Sequence, residues 1–391
     1  MTRPDNAINR IDDEIDTPAL VWDMDVLDAR LAALRRFSDT HACRLYYSVK
    51  ASAVAVVLDH IAAGVDGFSC SSPFEARLSR QVLGNKGVIS LTSPALTPAQ
   101  CDAINETCDH ISFNSLGQMK HLGPALKPNV AQGLRINPGL SIVDDPRYDP
   151  SRENSKLGIP INSLVKAHSA RPDDFVNISG LHIHTACGNR SFKGLTQTIE
   201  LIEAEIPALL HRARWFNLGG GYAFDKILKT KAFDDTVSRL RDVYGLDVIL
   251  EPGTAMVQNA ARMVSTVVDI FESGTATHAV LDTSVNHMPE VFAYQFQPPV
   301  KGARRDAPHT YTLAGATCLA GDIFGTYSFD QPLEVGQRLV IEKTGAYTHG
   351  QSHWFNGINL PTVYSHSGAG GLKLERAFTF EDFASRCGVH R

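Results

Sequence analysis

Between Leu45 and Val49 the chain reads Leu-Tyr-Tyr-Ser-Val and then meets a lone lysine, Lys50. A short apolar and aromatic run of this kind reads as a buried strand. Runs like it recur at 65–69, 87–91, 110–113, 133–136, 178–184, 215–218 and 248–251, making eight with the first. Between most of them lie stretches whose apolar residues repeat at helical spacing, as at 72–82, 195–211 and 231–244. Upstream, 18–23 reads as extended, and 26–38 carries Leu27, Leu31 and Leu34 at helical spacing behind Asp25 as N-cap. Eight alternating strand and helix units over roughly 220–250 residues predict a (β/α)8 barrel of the TIM type, an α/β fold. An open doubly wound sheet is the alternative, but its Gly-x-Gly-x-x-Gly turn after the first strand is absent.

Past Thr254 the alternation stops. Runs at 264–271, 278–281, 309–313 and 338–342 read as strands with no helices between them, which predicts a C-terminal β domain that also takes in the 18–23 strand. The expected division is a barrel over 26–254 and a β-sandwich or β-barrel domain made from 1–25 and 255–391. The connection 138–160 is long and rich in Pro, Asp and Ser, so it reads as a functional loop and not a missed helix.

With 391 residues, 43% of them hydrophobic and 20% charged, the chain is long enough for two packed domains. A net charge of −5 and the lack of a Lys and Arg run argue against nucleic acid or a membrane surface as partner. Residues 1–16 are polar and acidic, and no apolar run approaches spanning length, so a cytoplasmic protein is expected. The seven cysteines are scattered without a Cys-x-x-Cys pair, so neither a disulfide framework nor a zinc ribbon is indicated, and most read as small buried hydrophobes.

In barrel enzymes the chemistry gathers at the C-terminal ends of the strands. This register places Lys50, Ser69, Arg135, His184, the glycines Gly219, Gly220 and Gly221, and Glu251 there. A poorly solvated lysine favours the neutral, nucleophilic amine, although a lone strand-end lysine is as readily one that reaches out to water. Three glycines either let backbone N–H groups approach a phosphate or simply make a tight turn. Glu251 would keep a pyridine nitrogen protonated, or merely end a strand; His184 offers a flat imidazole for stacking; Arg135 suits an ordinary ion pair as well as a ligand. Jointly these residue types fit pyridoxal phosphate. The pair His182 and His184, with Cys187 nearby, admits a different class, a barrel metal-dependent hydrolase, because histidines two apart on a strand share a face. Further His and Asp at strand ends are missing, so no metal is expected.

The ordered set Tyr47-Ser48-Val49-Lys50-Ala51, His184, Asn217-Leu218-Gly219-Gly220-Gly221, Glu251-Pro252-Gly253, Cys318 with Asp322, Gly345-Ala346-Tyr347-Thr348 and Phe355-Asn356-Gly357 resembles the fold type III pyridoxal-phosphate decarboxylases, which include ornithine and diaminopimelate decarboxylases. The resemblance covers nearly the whole chain. It implies Lys50 as the Schiff-base lysine, His184 stacked on the ring, Glu251 on the pyridine nitrogen, and Gly219 to Gly221 and Tyr347 on the phosphate, with Arg135 and Gly253 completing the cofactor contacts. It further implies Cys318 as the acid that returns a proton after carbon dioxide leaves and Asp322 as a contact for the distal amine, both supplied by the partner subunit of a homodimer with shared active sites.

Ser69 stands where ornithine decarboxylases have an aspartate, and Thr254 follows Glu251-Pro252-Gly253 in place of an arginine. Cys318-Leu319-Ala320-Gly321-Asp322 is one residue wider than the ornithine pattern. With Asn356-Gly357-Ile358-Asn359-Leu360-Pro361, Asn137-Pro138, Asn154-Ser155-Lys156-Leu157-Gly158 and His287-Met288-Pro289-Glu290, that spacing is most similar to the carboxynorspermidine/carboxyspermidine decarboxylase branch. The resemblance then implies a cationic carboxylated polyamine as substrate, with His287 and Glu290 beside Asp322 as its contacts. A racemase shares the barrel and lysine, but related alanine racemases set an arginine against the ring nitrogen where this chain has Glu251. A non-catalytic pyridoxal-phosphate carrier lacks the second domain.

Overall fold

The computed structural model describes residues 11–12 and 14–389, so part of the expected β-domain segment 1–25 lies outside the described residues. The chain forms two compact units, one spanning Arg30–Ala255 and one joining the N-terminal residues up to Ala29 with those from Met256 onward.

The first unit is a closed barrel of eight parallel strands, Arg44–Ser48, Gly67–Cys70, Val88–Leu91, His110–Phe113, Ala131–Asn137, Ile178–His182, Trp215–Asn217 and Asp247–Leu250. The ring closes where Leu250 pairs with Leu45, and the Ala131 strand accepts both the His110 strand and the Ile178 strand. The strands are buried almost end to end, as a parallel sheet covered by helices requires, which is why they read in sequence as continuous apolar runs. Gly180 leaves the barrel interior free for Trp215: a Cβ there would lie 1.8 Å from the indole.

Helices differ from expectation in two places. The stretch 195–211 is two helices, Lys193–Glu205 and Pro207–Arg212, because Pro207 cannot donate into a continuing helix. The first helix, Met24–Thr40, is capped by Asp23, whose Oδ1 accepts the Val26 N–H at 3.0 Å. Asp25 instead accepts the Gly368 N–H at 2.9 Å. The connection 138–160 holds no helix; it ends in the short strand Ile159–Pro160 laid beside the Ala131 strand.

The second unit is an eight-stranded sheet. Ala19–Asp23 lies within it, antiparallel to Ala261–Ser273 and parallel to Thr362–Ser367. Its core includes Ala19, Val21, Val264 and Tyr364. Three strands absent from the sequence reading, Ile323–Phe329, Thr362–Ser367 and Gly371–Arg376, complete it. Among the described residues, no helix is long and apolar enough to cross a membrane.

Candidate active site

Lys50 sits two residues beyond its strand, on the single helical turn Val49–Ala51. Val49 and Ala51 are buried, which leaves the lysine as the turn's outward residue, open to solvent yet enclosed by protein. That enclosure pulls its pKa down, the charge of Arg135 adds to the effect, and Glu251, Cys187 and Glu75 oppose it. The balance moves the amine toward its neutral form. Arg135 lies inside the Ala131–Asn137 strand, and burial holds its pKa down to about 10 against the opposing charge of Glu251.

Glu251 directly follows the eighth strand and is 5% exposed. Its N–H donates to the Gly219 carbonyl at 2.8 Å, while Asn217 Nδ2 donates to Oε1. His182 Nε2 stands 3.7 Å from Oε2. Burial raises the carboxyl pKa, and hydrogen bonds from Asn217 and Ser69 together with the charges of Lys50 and Arg135 counter it. Ser69, expected at a strand end, therefore serves the acid directly.

His184 lies two residues past the sixth strand, where the Gly220 N–H donates to its Nδ1 at 3.3 Å. Burial, then Lys50, Arg135 and His182, hold its pKa well below the ordinary value, so the ring is neutral. Gly220 and Gly221 are fitted to their neighbours: added Cβ atoms would lie 2.1 Å from the Glu251 carbonyl and 2.0 Å from the Ala186 carbonyl, and Gly221 has φ +86. The triplet thus packs its backbone against the exits of the sixth and eighth strands. Gly253 is set against Ala51 and Ser48, and the Ser48 N–H donates to the Pro252 carbonyl at 3.1 Å, so the acid's loop is tied to the lysine's turn.

Ligand-capable atoms of His182, His184 and Glu251 lie within 4.8 Å of one another, compact enough for an ion; Cys187 is not of this set and is exposed. Two of these groups are already occupied by protein donors, Glu251 by Asn217 and His184 by Gly220. An amine with suppressed charge, a buried acid, a neutral flat imidazole and a glycine turn at one barrel mouth instead match a group with an aldehyde, a ring nitrogen and a phosphate.

The remaining expected residues lie in the β unit. Cys318 is exposed, and its N–H donates to Asn356 Oδ1 at 3.0 Å. Tyr347, at φ +62, opens the short helix Thr348–Gln351. Asp322 is 2% exposed. Its Oδ1 accepts the Val285 N–H at 2.8 Å, and Oδ2 accepts from Ser284 Oγ at 2.9 Å, Thr317 N at 3.0 Å and Thr317 Oγ1 at 2.5 Å. His287 is fully buried, with Nδ1 3.0 Å from Thr283 Oγ1 and Nε2 unpartnered. Burial lowers its pKa to about 4. Glu290, in the first turn of Pro289–Tyr294, is half-buried, and burial raises its pKa.

Sequence reasoning gave no role to Asn217 or Thr92, which bond to Glu251 and His182. Asn217 was visible as the polar end of an apolar strand; Thr92 carried no signal.

This arrangement defines a barrel enzyme with a pyridoxal-type site at the C-terminal ends of its strands. The chain belongs to the pyridoxal-dependent decarboxylase family, whose pyridoxal-binding domain matches residues 27–258. It is 33% identical over 374 residues to the carboxynorspermidine/carboxyspermidine decarboxylase of Herminiimonas arsenicoxydans, covering 95% of this chain and 99% of that protein. It is 32% identical to the carboxyaminopropylagmatine decarboxylase of a Synechocystis strain, covering 95% of each. The crystal structure of carboxynorspermidine decarboxylase from Campylobacter jejuni, complexed with norspermidine, superposes with a TM-score of 0.84 at 27% identity over 95% of this chain and 100% of that one.

Proposed function

We propose that the protein decarboxylates a carboxylated polyamine, converting carboxynorspermidine or carboxyspermidine to norspermidine or spermidine and carbon dioxide, in polyamine biosynthesis in the cytoplasm. The observation that carries this reading is the near end-to-end likeness to a protein of that activity, joined to the Lys50, His184 and Glu251 grouping.

In this reading Lys50 would hold the aldehyde of pyridoxal phosphate, Glu251 its ring nitrogen and His184 its ring face. Gly219, Gly220, Gly221, Gly253, Arg135 and Tyr347 would serve the phosphate and ring edge. When bound, the cofactor withdraws the electron pair left behind by the departing carboxylate. The surrounding protein and the charge of Arg135 disfavour the Lys50 ammonium, which eases the proton loss its nucleophilic nitrogen needs. Neutral His184 packs against a ring without placing a further cation beside Lys50 and Arg135. Glu251, fixed by Asn217 and Ser69, holds a negative charge where the ring nitrogen needs one. The Cys318 Sγ–H would deliver a proton to the carbon that lost its carboxylate. Glu290 would face the polyamine, whose ammonium groups suit an acidic protein of net charge −5, while the buried Asp322 and His287 would brace the 283–290 segment that carries it. Two copies of the chain would share their sites as a homodimer.

The Synechocystis relative favours a second reading, with carboxyaminopropylagmatine as substrate. Carbon dioxide release should be measured across these carboxylated polyamines, ornithine, lysine, arginine and diaminopimelate. Turnover confined to the carboxylated polyamines is expected. Release only from the amino acids, or from none, overturns the proposal.

A further inference from the structure

Three strand ends meet across the barrel mouth at His182. The imidazole is 2% exposed; its Nδ1 is 3.3 Å from Thr92 Oγ1, and its Nε2 is 3.7 Å from Glu251 Oε2 with no hydrogen-bond partner. Thr92 is itself fixed, since its N–H donates to the Cys70 carbonyl at 3.0 Å. A neutral imidazole carries one ring proton, and its position is set by what each nitrogen faces. A carboxylate oxygen can only accept unless protonated, so the favourable tautomer puts the proton on Nε2, toward Glu251. Nδ1 is then an acceptor, and the Thr92 hydroxyl supplies the proton it needs. The reverse tautomer would oppose a lone pair to a carboxylate and leave a buried acceptor unpaired.

We propose that Thr92, His182 and Glu251 form a directed relay in which His182 is a positioning residue, holding the Glu251 carboxylate ionised and oriented from the side opposite Asn217. The 3.7 Å separation is longer than a hydrogen bond, and catalytic contacts of this sort shorten when the site is filled. Asn217 and Ser69 serve Glu251 independently, and Lys50, Arg135 and His184 also face it; all five remain in the variants that follow. This inference rests on the pyridoxal-phosphate reading of the site.

The test uses holoenzyme of wild type, His182→Leu, His182→Gln, Thr92→Val and each of these combined with Glu251→Gln. A hydrogen bond to a charged group sets the scale, so His182→Leu should lower kcat about tenfold with KM within about twofold. His182→Gln keeps a donor toward Glu251 and should recover most of that loss, while Thr92→Val should fall between. The pH midpoint of the bound cofactor's visible band should move in His182→Leu and stay near wild type in His182→Gln. In the Glu251→Gln background the His182 effect should vanish, because the relay acts only through the acid. Should His182→Leu fail to fold, Thr92→Val, which removes only a hydroxyl, carries the same comparison. An undiminished His182 effect in the Glu251→Gln background, or an unmoved band midpoint, overturns the inference. So does a stoichiometric transition metal in wild type that His182→Leu loses. A wild type that is colourless and binds no added pyridoxal phosphate would instead sink the reading beneath it.

Discussion

Asp322 has two possible employments, and Asp322→Asn separates them. In the structure its carboxylate is surrounded by four donors within its own unit, two of which are the backbone N–H groups of Val285 and Thr317. The hydroxyls of Ser284 and Thr317 can turn round and accept from an amide, but a backbone N–H cannot. Whichever way an asparagine is placed, its NH2 opposes one of those two N–H groups, because one faces each oxygen. One buried donor is left unpaired at a cost of about 1–3 kcal/mol, and the surviving bonds lose their charge-assisted strength, for a total of about 2–4 kcal/mol. For a unit of this size that is a fall of at least about 4 °C in its unfolding midpoint, read by circular dichroism on the full chain. At a temperature where both proteins are folded, KM should stay within about threefold of wild type. Unchanged unfolding with KM raised tenfold or more would refute this reasoning and make the carboxylate a direct contact for the substrate amine.

Wild-type protein should show visible cofactor absorption that survives dialysis, with borohydride fixing the label on Lys50; Lys50→Ala should lose both, and label on another lysine would count against the assignment. Cys318→Ala should lower kcat with KM little changed, measured by product formation; wild-type turnover would release the thiol from its role as acid. His287 has its pKa lowered by burial from 6.5 to about 4, with Asp322 opposing and His353 adding to the shift. The unfolded chain therefore takes up the proton first, so this stability is full above pH 6.5 and lost as pH falls toward 4; denaturant midpoints of His287→Gln should depend less on pH across that window, and an equal dependence would refute the claim. Mixing the nearly inactive Lys50→Ala and Cys318→Ala proteins with subunit exchange should restore about a quarter of wild-type activity, since about half the dimers are mixed and each holds one intact site; no recovery above the separate variants under proven exchange excludes shared sites.

The barrel was legible because parallel strands covered on both faces must be apolar along their length, and each of the eight left such a run. The β unit was only half legible. Thr362–Ser367 reads Thr-Val-Tyr-Ser-His-Ser, and Gly371–Arg376 is exposed along most of its length, Leu374 included. The first buries only Val363, Tyr364 and Ser365 among polar neighbours and the second buries none of its residues, so the apolar signal is weak although the two strands pair along their length. The site divides the same way. Lys50, His184 and Glu251 stood out because charge or imidazole at the end of an apolar run is conspicuous. The Thr92 contact to His182, across 90 positions of sequence, exists only once the barrel has closed.

Of the three departures from the ornithine pattern, the one at Ser69 is explained by its contact with Glu251. A hydroxyl there donates to Glu251, as Asn217 does. An ionised aspartate has no proton to donate and would set a second negative charge against a carboxyl whose pKa burial already raises. Serine therefore adds to the hydrogen bonding that favours the charged acid without altering the local charge count. Thr254, which follows Gly253 in place of an arginine, opens the short helix Thr254–Val257. The barrel mouth thus draws its positive charge from Lys50 and Arg135, and Glu251 answers both. Any further cation here would stabilise the carboxylate but also press Lys50 further toward its neutral form. The acid and the nucleophile are consequently set by one shared balance of charge, so substitutions at either should shift the behaviour of the other.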